Sequence, residues 1–210
     1  MHLELRAEAP EDRRAVEQLI REAFWNLNTP GCNEHYLAHI LRAHPDFIAP
    51  LDFVAAHGAE IVGSIFYTRS RVEDTPTVTF GPLSVLPVYQ GRGVGSALVR
   101  HTLTLCREMG FRAVVIYGHP DYYARFGFRP ARAFDICTAD GMYAAALLAL
   151  ELEPGALRGV TGRFFESDAF EVDVRAAEAF DRDFPRRARR ETASQRAFAK
   201  LAAMREPRGR

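Results

Sequence analysis

The chain has 210 residues, 48% of them hydrophobic and 26% charged, and these values are close to the average for globular proteins. They exclude a disordered, collagen-like or membrane-embedded protein, and the balance of 27 basic and 27 acidic residues argues against a nucleic-acid coat. The three cysteines are far apart, which predicts neither a disulfide framework nor a cysteine-rich zinc site. Since a signal peptide is also missing from the N-terminus, we expect a cytoplasmic protein.

Hydrophobic periodicity divides most of the chain into strands and helices. In chain order the pattern predicts a strand at 3–6, a helix ending near Phe24, a second helix ending before Pro45, strands at 52–56, 61–71 and 77–86, a long helix after a Gly-rich turn at 90–95, a strand at 113–117, a short helix at 122–126, and strands at 128–132 and 143–152. Gly81-Pro82 marks a bulge or the end of pairing in its strand. This order predicts a mixed α/β sheet.

The character of the sequence changes after Pro154-Gly155. Residues 160–174 predict a short hairpin and residues 175–184 a helix, and the last 25 residues hold nine basic and two acidic side chains. We therefore expect a main domain at 1–153, a hairpin and helix extension at 154–185 that packs on it, and a basic tail at 186–210 that is helical or disordered. Without the tail the formal charge is −7, so the overall neutrality conceals an acidic body and a basic tail.

The strongest chemical signal lies where the strand at 77–86 leads into the long helix. It consists of Leu83, Ser84 and Val85, followed by Gln90, Gly91, Arg92, Gly93, Val94, Gly95 and Ser96. Backbone N–H groups at a helix N-terminus favour phosphate, and glycines let a ligand approach the backbone closely. A Walker A loop is excluded because the required lysine is missing, and a dinucleotide fingerprint is disfavoured because Ser96 replaces its third glycine. A glycine-rich turn without a ligand remains the alternative.

The segment Gln90–Gly95 resembles the Q/R-x-x-G-x-G/A motif of the GNAT superfamily of acyl-CoA N-acyltransferases. Tyr123, four residues before Gly127-Phe128, resembles the tyrosine that precedes the family's Gly-Phe pair. The element order also matches, over roughly residues 1–152. Within the superfamily, the segments 80–90 and 118–130 look most like the YhbS-like group of predicted bacterial acetyltransferases. The resemblance implies a GNAT-like fold, with a mixed, mostly antiparallel sheet flanked by helices and a C-terminal extension.

The resemblance implies an acetyl-CoA-dependent N-acetyltransferase that moves the acetyl group to a primary amine by direct attack in a ternary complex. Acetyl-CoA is the expected co-substrate and no metal is expected. The pyrophosphate would lie on the turn 90–96 and the pantetheine arm along residues 83–85, like an added strand. Two alternatives stay open: a non-catalytic acyl-CoA-binding module, and a nucleic-acid-associated protein that acts through the tail.

The resemblance makes Tyr123 the first candidate to bind both the cofactor and the departing thiolate, and Tyr122 is its alternative. His119 is the first candidate for a general base, because it follows the buried strand and histidine titrates near neutral pH. A structural cap at His119 is an equally open interpretation. Asp121 and Glu34 are weaker candidates, and a mechanism that uses only water as the base is a further alternative.

Loops around the first two helices line the acceptor side in the family, which makes Trp25, Asn33 and Glu34 the expected substrate residues. A glutamate there favours a cationic amine. Small amines, aminoglycosides, polyamines, peptide N-termini and lysine side chains all remain open as acceptors.

Other partners are less defined by the sequence. His35 and His39 have the i, i+4 spacing of metal ligands, but the zinc-protease pattern needs a glutamate directly after the first histidine, where Tyr36 stands. We expect no membrane and no nucleic-acid partner. A homodimer remains open, because Phe198, Leu201 and Ala202 form a weak apolar stripe.

Overall fold

A computed structural model of the chain describes residues 1–209. The α-helices are α1 (Arg13–Phe24), α2 (Glu34–Leu41), α3 (Val94–Glu108), α4 (Pro120–Tyr123), α5 (Val174–Asp181) and α6 (Ala193–Ala203). The strands are β1 (Glu4–Ala7), β2 (Phe53–His57), β3 (Glu60–Val72), β4 (Thr75–Val85), β5 (Ala113–Tyr117), β6 (Arg129–Pro130), β7 (Ile136–Cys137), β8 (Met142–Ala144), β9 (Leu147–Glu151), β10 (Gly162–Phe165) and β11 (Arg205–Pro207). Within the described residues, no helix has the length and apolar character that crossing a bilayer requires.

The chain forms two compact units, each assembled from three stretches of sequence. The first unit consists of Met1–Tyr67, Gly81–Thr102 and Asp168–Arg196, and the second of Thr68–Phe80, Leu103–Ser167 and the residues from Ala197 onward. Both β3 and β4 therefore contribute residues to each unit. The boundaries expected after residues 153 and 185 stay a prediction, and Arg210 of the expected tail lies outside the described residues.

The first unit holds an antiparallel ladder of β1, β2 and β3. Glu4 pairs with Ala56, and Phe53 pairs with Ile65. The apolar face predicted for α1 is buried, together with residues of α2, β2 and β3: Val16, Leu19, Ile20, Leu37, Ala38, Leu41, Val54 and Phe66. The helical period of α1 thus places its apolar stripe on the sheet.

The second unit is centred on β5, whose first four residues are fully buried. This strand pairs in parallel with β4, at Val114 and Val78, and antiparallel with β9 along its whole length. On its other side β9 pairs with β6. Burial on both faces explains the continuous apolar run of β5. The expected fold class, a mixed and mostly antiparallel sheet flanked by helices, is confirmed.

Two predicted elements in the second half of the chain are wrong. The single strand expected at 143–152 is two strands with different partners. β8 pairs with β11, and Ala145 next to it donates a backbone hydrogen bond to Met204, whereas β9 pairs with β5. The hairpin expected at 160–174 does not form. Its first half is β10, which pairs with β3 and β7, and its second half forms a 3-10 turn before α5.

The basic C-terminal segment makes specific contacts in each unit. In the first unit the Trp25 indole donates to the Ala188 carbonyl oxygen, and Thr192 and Gln195 donate to the Asn26 carbonyl oxygen. In the second unit β11 pairs with β8, and Arg208 forms an ion pair with Asp135. Side-chain contacts and backbone pairing thus both hold the segment in place.

A buried cluster of charged side chains lies in the first unit. Arg42 donates to both carboxylate oxygens of Glu8, at 2.5 and 2.7 Å, and to Glu17 at 3.1 Å. Asp52 is buried beside this pair. Burial, assisted by a hydrogen bond to Glu8, raises the pKa of Asp52 to about 9. The folded chain thus holds Asp52 protonated at neutral pH, whereas the unfolded chain ionises it near pH 4.

We expect the Asp52→Asn variant to lose less stability than the native chain as the pH rises from 7 to 9. A carboxyl whose pKa is raised by folding contributes stability that is complete below its unfolded pKa and is lost as the pH passes through the folded value. The amide removes this ionisation and keeps a hydrogen-bond donor for Glu8. Urea unfolding at several pH values measures the effect, with the exposed Asp74→Asn as the matched control. Parallel stability curves for Asp52→Asn and the native chain would contradict the expectation.

Candidate functional site

The Gly-rich turn lies in the first unit, directly before α3. Gly91 and Gly93 have φ values of +72° and +89°, a region that side chains disfavour, so the turn depends on glycine at both positions. A Cβ built on either glycine meets no atom within 4 Å, which shows that this side of the turn is open. Gln90 supports the turn by donating from Nε2 to the Val85 carbonyl oxygen at 3.1 Å.

The start of α3 presents donors to this open space. Ala97 donates to the Gly93 carbonyl oxygen at 2.9 Å, and this is the first hydrogen bond of the helix. By helix geometry the N–H groups of Val94, Gly95 and Ser96 precede any intrahelical acceptor. Together with the positive end of the helix dipole and the exposed guanidinium of Arg92, they favour a phosphate group.

A glycine that the sequence analysis did not single out sets the position of this helix. A Cβ on Gly63 of β3 would lie 2.8 Å from Val94 Cγ1 and 3.2 Å from the Ser84 carbonyl oxygen. Only glycine therefore lets the first turn of α3 approach the strands so closely. The signal available in the sequence was a glycine inside an otherwise apolar strand.

The expected pantetheine strand, Leu83 to Val85, lies at the end of β4. Leu86 donates to the Val62 carbonyl oxygen of β3, and the Ser84 and Ser64 hydroxyls lie 2.7 Å apart. Since N–H groups alternate between the two edges of a strand, those of Leu83 and Val85 point away from β3. This orientation supplies two backbone donors on the opposite edge of β4.

In the second unit, Tyr123 ends α4 and packs among aromatic rings. Its ring centroid lies 5.7 Å from those of Phe80 and Phe128 and 4.9 Å from that of Tyr122. Burial raises the pKa of Tyr123, so the hydroxyl stays protonated throughout the neutral range. Within residues 1–209, this hydroxyl has no hydrogen-bond partner. Tyr123 is therefore able to donate a hydrogen bond to a ligand.

Gly118, directly after β5, makes room for the Tyr123 ring. A Cβ there would approach the ring carbons Cε2 and Cδ2 more closely than real Cβ atoms allow. The sequence analysis identified the tyrosine by its spacing from Gly127 but did not identify this glycine. Gly118 indicates that the tyrosine ring is fixed against the end of the strand.

The other catalytic candidates are more exposed. The His119 side chain is 63% exposed, and its Nδ1 lies 3.8 Å from a carboxylate oxygen of the exposed Asp121. Tyr122 is half-buried, under the guanidinium of Arg125. The catalytic role of His119 stays a prediction, since this position neither buries the imidazole nor fixes it with a short hydrogen bond.

The three expected substrate residues lie in the first unit but already have partners there. The Trp25 indole bonds to Ala188, and the Arg21 guanidinium lies 4.3 Å from the centre of the ring. Glu34 accepts hydrogen bonds from the Asn33 backbone N–H and the Asn28 side chain. Burial raises the pKa of Glu34. Their role in binding substrate stays a prediction.

The two histidines with metal-like spacing have separate partners. His35 is buried, its Nε2 lies 3.2 Å from Asp181, and burial lowers its pKa to about 4. His39 is instead bound to Glu17, with 3.0 Å between Nδ1 and Oε1. The ligand atoms that do lie together within the described residues belong to His44, Asp46 and Asp168, and they are within 4.8 Å of one another.

Comparison with known proteins points to one family. The model of the acetyltransferase (GNAT) family matches residues 14–128. The uncharacterized N-acetyltransferase YhbS of Escherichia coli is 33% identical over 162 residues, which cover 75% of this chain and 92% of that protein. The uncharacterized N-acetyltransferase YjhQ of the same species is 37% identical over 99 residues, and this match spans 45% of the chain and only about half, 51%, of YjhQ.

Solved structures extend the comparison to bound cofactor. The crystal structure of E. coli YhbS in complex with CoA has a TM-score of 0.74 and 27% identity, and the match covers 82% of this chain and 93% of YhbS. A GNAT family acetyltransferase from Brucella melitensis in complex with acetyl-CoA has a TM-score of 0.67 and 26% identity, with coverage of 80% and 98%. The family resemblance seen in the turn and in Tyr123 is thus confirmed, and the chain belongs to the GNAT family of acetyltransferases.

Proposed function

We propose that this chain is an N-acetyltransferase that transfers the acetyl group of acetyl-CoA to a primary amine, by direct attack in a ternary complex. The observation that carries the proposal is the Gly-rich turn Gln90–Ser96, which combines two positive-φ glycines with the open N-terminus of α3. Two similar proteins of known structure bind CoA or acetyl-CoA.

The proposed binding mode follows from the donors of the first unit. The pyrophosphate accepts hydrogen bonds from the N–H groups at the start of α3, with Arg92 adding a charged donor. The pantetheine arm runs along the edge of β4 that carries the Leu83 and Val85 N–H groups. One of these two groups also donates to the thioester oxygen as negative charge develops there.

The reaction balances without a further reagent. The nitrogen of the neutral amine forms a bond to the thioester carbon, and the C–S bond breaks with its electron pair on sulfur. The nitrogen then loses one proton while the CoA sulfur gains one. An alkylamine with a pKa of about 10.4 is neutral in only about 1 molecule in 2,500 at pH 7. A base must therefore first remove a proton from the ammonium form of the amine, and His119 or water is the proposed base.

Tyr123 is proposed to stabilise the departing thiolate. A thiol has a pKa of about 8.5 and a phenol about 10, so complete proton transfer from tyrosine to sulfur is unfavourable. Burial raises the pKa of Tyr123 and increases this difference. The proposed role is therefore a hydrogen bond from the hydroxyl to sulfur, with the proton of the product thiol coming from the attacking amine or from solvent.

The ion pairs of the basic tail weaken the case for a nucleic-acid function. Within the first unit Arg189 pairs with Glu178, and within the second Arg205 and Arg208 pair with Asp140 and Asp135. These guanidinium groups are already neutralised by carboxylates of the same chain, which leaves less charge for phosphates.

Thermal shift and thiol release together test the proposal. Acetyl-CoA is expected to raise the Tm, whereas NAD and RNA leave it unchanged, because only a bound ligand stabilises the folded state. Release of CoA thiol is then followed with a panel of primary amines. A Tm shift without thiol release from any amine would favour a non-catalytic acyl-CoA-binding module. The absence of a shift with acetyl-CoA would overturn the proposal.

A further inference from the structure

A cavity of about 490 Å³ lies in the first unit, and we call it the arginine pocket. Four arginines, two acids and two aromatic side chains line it: Trp25, Glu178, Asp181, Arg182, Phe184, Arg186, Arg187 and Arg189. Its size is in the range of small-molecule sites. Half of the lining residues thus carry a guanidinium group.

Both acids of the lining already have cationic partners. Asp181 accepts a hydrogen bond of 2.6 Å from Nε of the buried Arg21, and Glu178 accepts one of 2.9 Å from Arg189. Three arginines of the lining form no ion pair within residues 1–209, namely Arg182, Arg186 and Arg187. No carboxylate of the pocket therefore balances these three positive charges.

The two aromatic rings of the lining bring further positive charge to the pocket. The guanidinium groups of Arg21 and Arg187 lie 4.3 and 5.7 Å from the centre of the Trp25 ring. Those of Arg14 and Arg21 lie 3.6 and 5.4 Å from the centre of the Phe184 ring. The negative faces of such rings attract cations, which brings together groups that repel one another. A bound anion would relieve this repulsion.

Arg21 is not part of the lining, but it contributes to the charge around the pocket. Its side chain is 1% exposed, and its Nη1 has no hydrogen-bond partner within the part of the chain that the structure describes. Asp181 therefore satisfies only part of this guanidinium. A buried cation acts through a medium of low dielectric constant, so its field extends further than that of a solvated one.

The segment that carries the unpaired arginines is held by its backbone to the loop after α1. The Ala188 carbonyl oxygen accepts hydrogen bonds of 3.0 Å from the Trp25 indole and from the Asn26 side chain. The Arg190 backbone N–H donates to the Asn26 side-chain oxygen, also at 3.0 Å. The arginines just before Ala188 thus extend from a fixed backbone, which lowers the entropy lost when a ligand binds.

The charge around the pocket favours a compact anion over an extended one. Residues 1–185 together carry a formal charge of −7, so a nucleic acid that reached beyond the pocket would meet an acidic surface. A small molecule that fits within 490 Å³ would meet mainly guanidinium groups. These groups bind phosphate and carboxylate oxygens through paired hydrogen bonds.

We propose that the arginine pocket binds a small polyanion, a molecule with a phosphate group or several carboxylates, through Arg182, Arg186 and Arg187. None of the lining residues belongs to the Gly-rich turn at 90–96. The site is therefore additional to the one proposed for the cofactor, and it does not depend on the acetyltransferase function.

Trp25 makes the pocket directly observable, because it is the only tryptophan of the chain and lines the cavity. The full chain is titrated with inorganic pyrophosphate or with citrate while the fluorescence of Trp25 is followed. We expect a saturable response to pyrophosphate that weakens as salt is added. A response to citrate as well would support a ligand class that includes carboxylates, and a response to pyrophosphate alone would support a phosphate ligand.

Variants separate this pocket from the rest of the surface. Arg186→Gln and Arg187→Gln are each expected to raise the Kd for pyrophosphate about tenfold, since each removes a charged hydrogen-bond donor. Arg175→Gln removes the same charge from an exposed position of α5 outside the pocket, so it is the matched control and keeps the native Kd. Gly93→Ala, which alters the Gly-rich turn, should also leave the Trp25 response unchanged.

Two results would overturn the site. The first is a Trp25 response to pyrophosphate that is the same in the native chain, Arg186→Gln and Arg187→Gln. The second is the absence of any response to pyrophosphate and citrate, including the case in which single-stranded RNA still binds through Arg186 and Arg187, because the arginines would then form a nucleic-acid surface.

Discussion

Replacing Tyr123 with phenylalanine is expected to lower kcat by about 10- to 1000-fold while the affinity for acetyl-CoA stays the same. The change removes one hydroxyl that has no partner within residues 1–209 and keeps the ring that packs on Gly118, Phe80 and Phe128. A hydrogen bond to a developing thiolate is made in the transition state, so its loss appears in kcat and not in binding. Steady-state kinetics and calorimetric titration with acetyl-CoA measure the two quantities.

Tyr122→Phe is the matched control, because it removes the neighbouring hydroxyl from the same helix. It is expected to retain near-native kcat. An unchanged kcat in Tyr123→Phe would exclude the hydroxyl from the reaction, and a large loss in Tyr122→Phe alone would assign the role to the neighbour. A similar Tm for both variants and the native chain would show that the loss is not caused by unfolding.

The second large effect concerns the turn before α3. Gly93→Ala is expected to weaken acetyl-CoA binding about 10- to 100-fold, measured by calorimetric titration. An alanine at φ +89° costs about 1–2 kcal/mol, and the turn relieves this strain by rotating away from the conformation that presents its N–H groups. Each hydrogen bond lost from a charged phosphate is worth about 1.5–3 kcal/mol.

Gly58→Ala controls for the strain itself. Gly58 has a φ of +63° at the turn between β2 and β3, and a Cβ there also meets no atom within 4 Å. Both variants should therefore lose similar stability in urea unfolding, but only Gly93→Ala should lose acetyl-CoA affinity. Equal affinities of the two variants would show that the conformation of the Gly-rich turn does not matter for the cofactor.

Features encoded by local sequence were predictable. The continuous apolar run of β5 gave its bounds correctly, and the stripe of α1 from Val16 identified the buried face. The Gly-rich turn was recognisable because glycine, strand and helix occur in one short segment. In the folded chain Gly91 and Gly93 of this turn both have positive φ.

Features that depend on distant residues were not predictable. The hairpin expected at 160–174 fails because Phe164 pairs with Val72, far away in the sequence. Gly63 and Gly118 matter only through Val94 and Tyr123, which pack on them in the folded chain. The cavity lined by Tyr117, Phe198 and Leu201 needs α6, and no local pattern reveals that residues of α6 lie near the end of β5.

Transfer of an isotopically labelled acetyl group is the most direct test of the central claim. The native chain is incubated with labelled acetyl-CoA and a panel of primary amines, and the products are identified by mass spectrometry. The claim predicts one labelled acetyl group on the amine nitrogen for each CoA thiol released, and far less product with Tyr123→Phe. CoA release that yields only labelled acetate, with no acetylated amine from any member of the panel, would contradict it.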